Sequence, residues 1–259
     1  MTVSVDTSVP RPARTVLIAG AVHTGAVHTG AVHTGAVQAG AAQAAGRALA
    51  AGFARRGWDV ALAVDAGAAE AAAALAAELG AHGGRVAVLI ADLAVEREAR
   101  GLIPACAAAL GRPACVVSLP TPPAPDRADD YAALLDATAR NVAAPLALAR
   151  ALRDATPEAA RDDETLRAAV LFVLDQALFH PTSGPLPHAL AQAALHRAIP
   201  AEALALAPQV RVAGLVRGRA TAPDALADAA CYLADAAGVT GATLDLDGGA
   251  QLAPSANGF

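Results

Sequence analysis

Short apolar runs alternate with longer, alanine-rich stretches of helical character along most of the chain. The spacing predicts strands at 15–20, 58–65, 85–91, 115–119, 168–175, 209–216 and 242–246. Between them it predicts helices at 43–56, 68–79, 95–110, 126–153, 186–207 and 224–236, with a kink near Pro145 and an interruption at Pro200. Runs such as TVLIAG and AAVLFVLD are continuously apolar rather than alternating, as expected of strands covered on both faces. Strand–helix alternation requires a parallel sheet with helices on both sides. Right-handed crossovers then give a Rossmann-like, doubly wound α/β sheet of about seven strands. The expectation is one domain over 15–259, behind a flexible N-terminus at 1–14.

In such a sheet, ligands sit at the carboxyl ends of the strands, where strand order reverses. The turns after Gly20, Asp65, Ala91, Leu119 and Asp175 should therefore surround one crevice.

Composition narrows the function classes. The 259 residues carry a net charge of −5, and every one of the 19 basic residues is arginine. A nucleic-acid or anionic-membrane surface would need clustered positive charge, so neither partner is expected. No stretch is apolar enough over about 18 residues to span a bilayer, and the polar start lacks a signal-peptide core. A cytoplasmic protein is expected. Cys106, Cys115 and Cys231 have no CxxC spacing and read as small buried hydrophobes.

Between the first strand and first helix lies a five-residue repeat, AVHTG-AVHTG-AVHTG-AVQAG, at 21–40. His23, His28 and His33 invite a metal reading. A spacing of five turns each histidine about 140° around a helix. In a strand the same spacing puts successive histidines on opposite faces. An inserted, mobile loop is favoured over a metal site.

Without the repeat, the first crossover reads VLIAG-AAQAAG-RALAAG, with Gly40 and Gly46 flanking a helix start. Glycines at such a start let backbone N–H groups approach a pyrophosphate. From 15 to about 252 the chain resembles the short-chain dehydrogenase/reductase family, especially its pteridine-reductase-like branch. GAAQAAG at 40–46 resembles that branch's phosphate loop. Asp92 and Leu93 resemble its adenine-contacting segment, and NVAAP at 141–145 its NxxAP segment. TG at 240–241 and DGG at 247–249 resemble the family's C-terminal motif.

The resemblance implies Asn, Ser, Tyr and Lys at the active centre, with Asp at the Ser position in this branch. Asn141 and Asp175 match. His188 lies thirteen residues after Asp175, where Tyr should stand, and Gln192 replaces the Lys four residues on. No lysine exists anywhere in the chain. Ser118-Leu119-Pro120 stands in place of the family's NNA, and Arg217-Gly218 in place of its PG. Only five residues separate Gly218 from Asp224, which shortens the usual substrate-covering loop. The resemblance also implies NAD or NADP as cofactor, held by Gly20, Gly40, Gly46, Asp65, Asp92, Leu93, Ser118 and Gly218. Asp65 either binds the adenine ribose, repelling the 2′-phosphate of NADP, or is a solvated strand-end acid. Homodimers or homotetramers packed through the 126–153 and 186–199 helices are implied as well.

Two functional expectations follow. One is a non-catalytic or weakly active family member with no assigned substrate. The other is an active NAD(P)-dependent oxidoreductase in which Asp175 holds His188 as the general acid, with Gln192 orienting the ribose.

Overall fold

Seven apolar segments form the strands of a single sheet in this computed structural model. It describes residues 14–20, 34–121, 130–179, 186–218 and 220–249, with the backbone alone for 34–41 and 177. The strands are β1 (Thr15–Ala19), β2 (Asp59–Val64), β3 (Val86–Ile90), β4 (Pro113–Ser118), β5 (Ala168–Asp175), β6 (Val210–Arg217) and β7 (Thr243–Leu246). Their order is β3-β2-β1-β4-β5-β6-β7, and every pairing is parallel. The expected single α/β domain with a doubly wound parallel sheet is present.

Among the described residues seven α-helices flank the sheet: α1 (Thr34–Arg55), α2 (Ala69–Gly80), α3 (Glu96–Leu110), α4 (Tyr131–Thr138), α5 (Ala144–Ala155), α6 (Leu186–Leu206) and α7 (Pro223–Asp235). Alternate strand residues feed two cores. Val16 and Ile18 join Leu49, Phe53, Leu75 and Leu226 under α1, α2 and α7. Leu17 and Ala19 join Leu102, Leu148 and Ile199 under α3, α5 and α6. Period-two alternation thus serves both faces at once, so β5 can be apolar almost throughout.

Local chemistry sets several element ends. α1 stops in a Schellman arrangement: Gly57 adopts φ +75°, its N–H bonds Ala54 O, and the Trp58 N–H bonds Phe53 O. The matching apolar contact is an edge-on packing of Phe53 and Trp58, centroids 5.1 Å apart. Asp130 caps α4 through the Ala133 N–H.

Three boundaries differ from the sequence reading. α1 begins at Thr34 instead of 43, so 34–40 form helical turns, not the end of a loop. The alanine-rich sequence has enough helix propensity to carry the helix back through two glycines. His23, His28 and His33 lie outside the described residues. The long helix is divided by a π turn at Ala139–Ala143, where the Ala144 N–H bonds Ala139 O. Pro145 has no N–H to give the Asn141 carbonyl, and a wider turn avoids the ring clash. α6 runs unbroken through Pro200, whose ring is exposed while Ile199 and Ala203 are buried.

The three cysteines are free and buried. Burial pushes the Cys106 and Cys231 thiols up to about 11, and raises Cys115 as well. Thiolate is the reactive form, so the folded protein should resist alkylation by iodoacetamide at pH 8. All three thiols should label in urea. Labelling of Cys115 without unfolding would contradict this packing.

Candidate active site

The parallel sheet opens the C-terminal ends of its strands on one edge. Two groups of residues from different strands gather there.

The first group surrounds a small, open cleft at the ends of β1, β2 and β3, lined in part by Gly20, Asp65, Leu93, Thr121 and Arg140. Gly20 sits at φ +94°, and a Cβ there would fall 2.5 Å from the Leu119 carbonyl oxygen. Only glycine allows that turn so close to the end of β4. Asp65 ends the β2 crossing and accepts the Ala68 N–H at 3.0 Å, capping a 3₁₀ turn at Ala66–Ala68. Asp92 accepts from the Ala94 N–H at 2.9 Å and from Arg140 Nη1 at 2.7 Å. Arg140 also reaches Asp136 at 3.0 Å, so its guanidinium is shared between two carboxylates.

Asn141 forms one wall of this edge. Its Oδ1 accepts the Thr121 N–H at 2.7 Å, and its Nδ2 donates to Thr121 O at 3.1 Å. Both polar ends of the buried amide therefore pin the segment that leaves β4. Ser118 is buried as the last residue of β4, beside Ala19 and Phe172. Gly40 and Gly46 lie six and twelve residues inside α1. Amides so far into a helix bond carbonyls one turn back, so these glycines form no open cradle at its N-terminus.

The second group centres on Asp175, the last residue of β5. His188, in the first turn of α6, places Nε2 2.7 Å from Asp175 Oδ2. Its ring is 5% exposed as a residue. Gln192, one turn further along α6 and fully buried, accepts the Asp175 backbone N–H at 3.1 Å. The Gln192 carbonyl is thus committed to the protein backbone, not left for a ribose. Arg217 ends β6 directly opposite Asp175 in the parallel register. Burial lowers the Arg217 pKa, while the nearby Asp175 charge works the other way. His188 Nδ1, Gln192 Nε2 and Arg217 Nε are all buried with no hydrogen-bond partner among the described residues. Gly218 is required by a close approach: a Cβ there would lie 2.7 Å from Asp247 Cβ.

Asn141 and the Asp175 group were expected to act together. Asn141 spends its amide on Thr121, while Asp175, His188 and Gln192 do meet. The sequence reading noted Arg217 only as a lost proline, yet strand pairing sets it beside Asp175. It also missed Arg140 and Thr121 in the cleft. Arg140 precedes Asn141, and an arginine one position before a motif residue was the available signal. Among the described residues no cluster of histidine, cysteine and acidic side chains could hold a metal ion. Nor is any helix among them long and apolar enough to cross a membrane.

No protein-family model matches the sequence, and no curated protein matches it. Solved structures do. The chain is similar to FolM alternative dihydrofolate reductase 1 from Brucella canis, complexed with NADP, at 22% identity and TM-score 0.72, covering 94% of this chain and 96% of that one. It is similar to the Brucella suis FolM protein, also in complex with NADP, at 23% identity and TM-score 0.74 over 93% and 96%. A short-chain dehydrogenase/reductase from Serratia marcescens aligns at 18% identity and TM-score 0.71 over 92% and 98%. The fold is that of the short-chain dehydrogenases/reductases.

Removing the Asn141 amide should leave the buried Thr121 N–H and C=O without partners. Asn141→Ala is expected to lower unfolding stability by about 2–4 kcal/mol in a urea titration. A change below about 0.5 kcal/mol would contradict the clamp.

Proposed function

We propose that this chain is an NAD(P)-dependent oxidoreductase of the short-chain type in which Asp175 and His188 supply the acid–base chemistry of the missing Tyr and Lys. The observation that carries this reading is the 2.7 Å contact between His188 Nε2 and Asp175 Oδ2, with Nδ1 left unpartnered among the described residues. A carboxylate on one imidazole nitrogen fixes the tautomer and leaves the other nitrogen for a reacting oxygen. Gln192 supports the pair by holding the Asp175 backbone.

The residues present fit the adenosine end of a dinucleotide. The cleft beside Gly20 is bounded by Asp65, at the end of β2, and by Leu93. Asp65 would take the ribose hydroxyls and oppose a 2′-phosphate, which favours NAD. NADP is the ligand in both FolM structures, and it remains the competing cofactor. A bound nicotinamide dinucleotide would supply the hydride. His188 would donate the Nδ1 proton to the carbonyl oxygen of the substrate as the alcohol forms, then recover a proton from solvent. Asp175 would stabilise the imidazolium before transfer and keep the proton on Nε2 afterwards.

A homo-oligomer accompanies this reading. Tyr131 and Leu135 on α4, with Leu186 and Leu190 on α6, are exposed apolar residues on the helices expected to pack between copies. A second reading is a nucleotide-binding protein without turnover. It is favoured by the position of Gly40 and Gly46 well inside α1, which removes the expected phosphate cradle.

Cofactor titration and turnover separate the two. NADH should bind measurably by calorimetry, and Asp65→Asn should narrow its advantage over NADPH. His188→Ala should cut NADH-dependent carbonyl reduction by at least about 10²-fold, with NADH affinity retained. Binding of cofactor with turnover unaffected by His188→Ala would remove the proton-donor role. Failure of either cofactor to bind at millimolar concentration would leave no oxidoreductase.

A further inference from the structure

Arg140 lines the small cleft at the strand ends, and its side chain is three-quarters buried. From the π turn at Ala139–Ala143 its Nη1 donates to Asp92 Oδ1 at 2.7 Å, and its Nε donates to Asp136 Oδ1 at 3.0 Å. The next residue, Asn141, takes the Thr121 N–H and donates to the Thr121 carbonyl. A single π turn therefore holds two sides of the cleft: Asp92 after β3 and Thr121 after β4.

Almost every polar atom of Asp92 is already committed. Its N–H donates to Glu98 Oε2 at 2.8 Å, and its carbonyl accepts the Val95 N–H at 3.0 Å. Its Oδ1 takes both the Ala94 N–H and Arg140. Oδ2 alone accepts from no donor among the described residues, and the side chain is half exposed. Ala91 and Leu93, on either side of Asp92 in the chain, line the cleft with Ala63 and Val64. Aliphatic walls suit a flat ring, and an ionised carboxylate can only accept hydrogen bonds. A ring with an N–H donor at its edge fits beside that oxygen. A ring with a carbonyl oxygen at the same place is repelled by it.

Arg140 decides where that oxygen stands. The Ala94 N–H alone ties Asp92 only to its own turn, whereas the guanidinium ties it to the helix across the cleft. Without Arg140, Asp92 and Asp136 would lose the cation they share and repel each other. We propose that Arg140 is a positioning residue for base recognition. It holds Asp92 so that Oδ2 accepts the exocyclic amine of adenine, and a purine with a keto oxygen in that place is excluded. The ligand's identity rests on the dinucleotide reading, in which Asp65 takes the adjoining ribose.

NADH and its deamino analogue, in which hypoxanthine replaces adenine, test this by calorimetry on the full chain. AMP and IMP repeat the comparison without the nicotinamide half. In each pair the adenine ligand should bind wild-type protein at least about tenfold more tightly. Arg140→Gln should bring the two ligands of a pair within about threefold of each other, and Arg140→Lys should give an intermediate ratio. A ratio within a pair is unmoved by a general loss of affinity, so a merely loosened cleft does not mimic this result. Asp92→Asn, which offers a donor to the keto oxygen, should abolish or reverse the preference. Equal binding within each pair to wild-type protein overturns the proposal. So does a ratio left unchanged by Arg140→Gln, or by Arg140→Lys should the glutamine variant not fold. If neither dinucleotide binds while AMP is preferred to IMP, the oxidoreductase reading fails and the role of Arg140 stands. Failure of all four ligands to bind at millimolar concentration overturns both.

Discussion

One half-buried carboxylate organises the chemistry of this molecule. Asp175 stands at the end of β5, where a strand that is apolar along its length emerges at the edge of the sheet. Its side chain holds His188, its backbone is held by Gln192, and its neighbour across the ladder is Arg217. Buried charge is tolerated only with such partners. Replacing Asp175 alone would leave His188 Nε2 buried without its carboxylate. The histidine, the glutamine and the carboxylate are therefore coupled, and a change at Asp175 is felt by both of its partners.

The sheet makes that gathering possible. In a fully parallel sheet, every strand delivers its last residue to the same edge. Gly20, Asp65, Ser118, Asp175 and Arg217 reach it from five different strands. The two packed cores below are filled by Leu, Val, Ile, Phe and Ala, and hold the strand ends at fixed spacing. Polar side chains at that edge can thus be close in space while far apart in sequence. Asn141 shows the same economy at a smaller scale, since one amide pins the segment leaving β4 by two bonds.

Much of this was legible in the sequence, for identifiable reasons. Continuous apolar runs reveal buried parallel strands, and the thirteen-residue step from Asp175 to His188 points to their meeting because it matches the spacing of the short-chain dehydrogenase/reductase family that the sequence resembles. The positions of Gly20, Asp65 and Leu93 around one cleft follow from strand order alone. The start of α1 was not legible. A repeat with glycine at every fifth position reads as a loop, but its alanines continue helically into the segment behind. The partner of Gln192 was not legible either, because a glutamine can serve a ribose or a backbone amide equally well. Arg217 becomes visible only when the register of β5 against β6 is known.

The pairing of His188 with Asp175 has one direct physical signature. Nitrogen NMR of the selectively labelled histidine ring reports which nitrogen carries the proton in the neutral state. The proton should reside on Nε2, with Nδ1 bare, because the carboxylate accepts from Nε2 and the catalytic nitrogen must be the other one. A neutral ring protonated on Nδ1 would place a bare nitrogen against Asp175 and contradict the acid–base assignment outright.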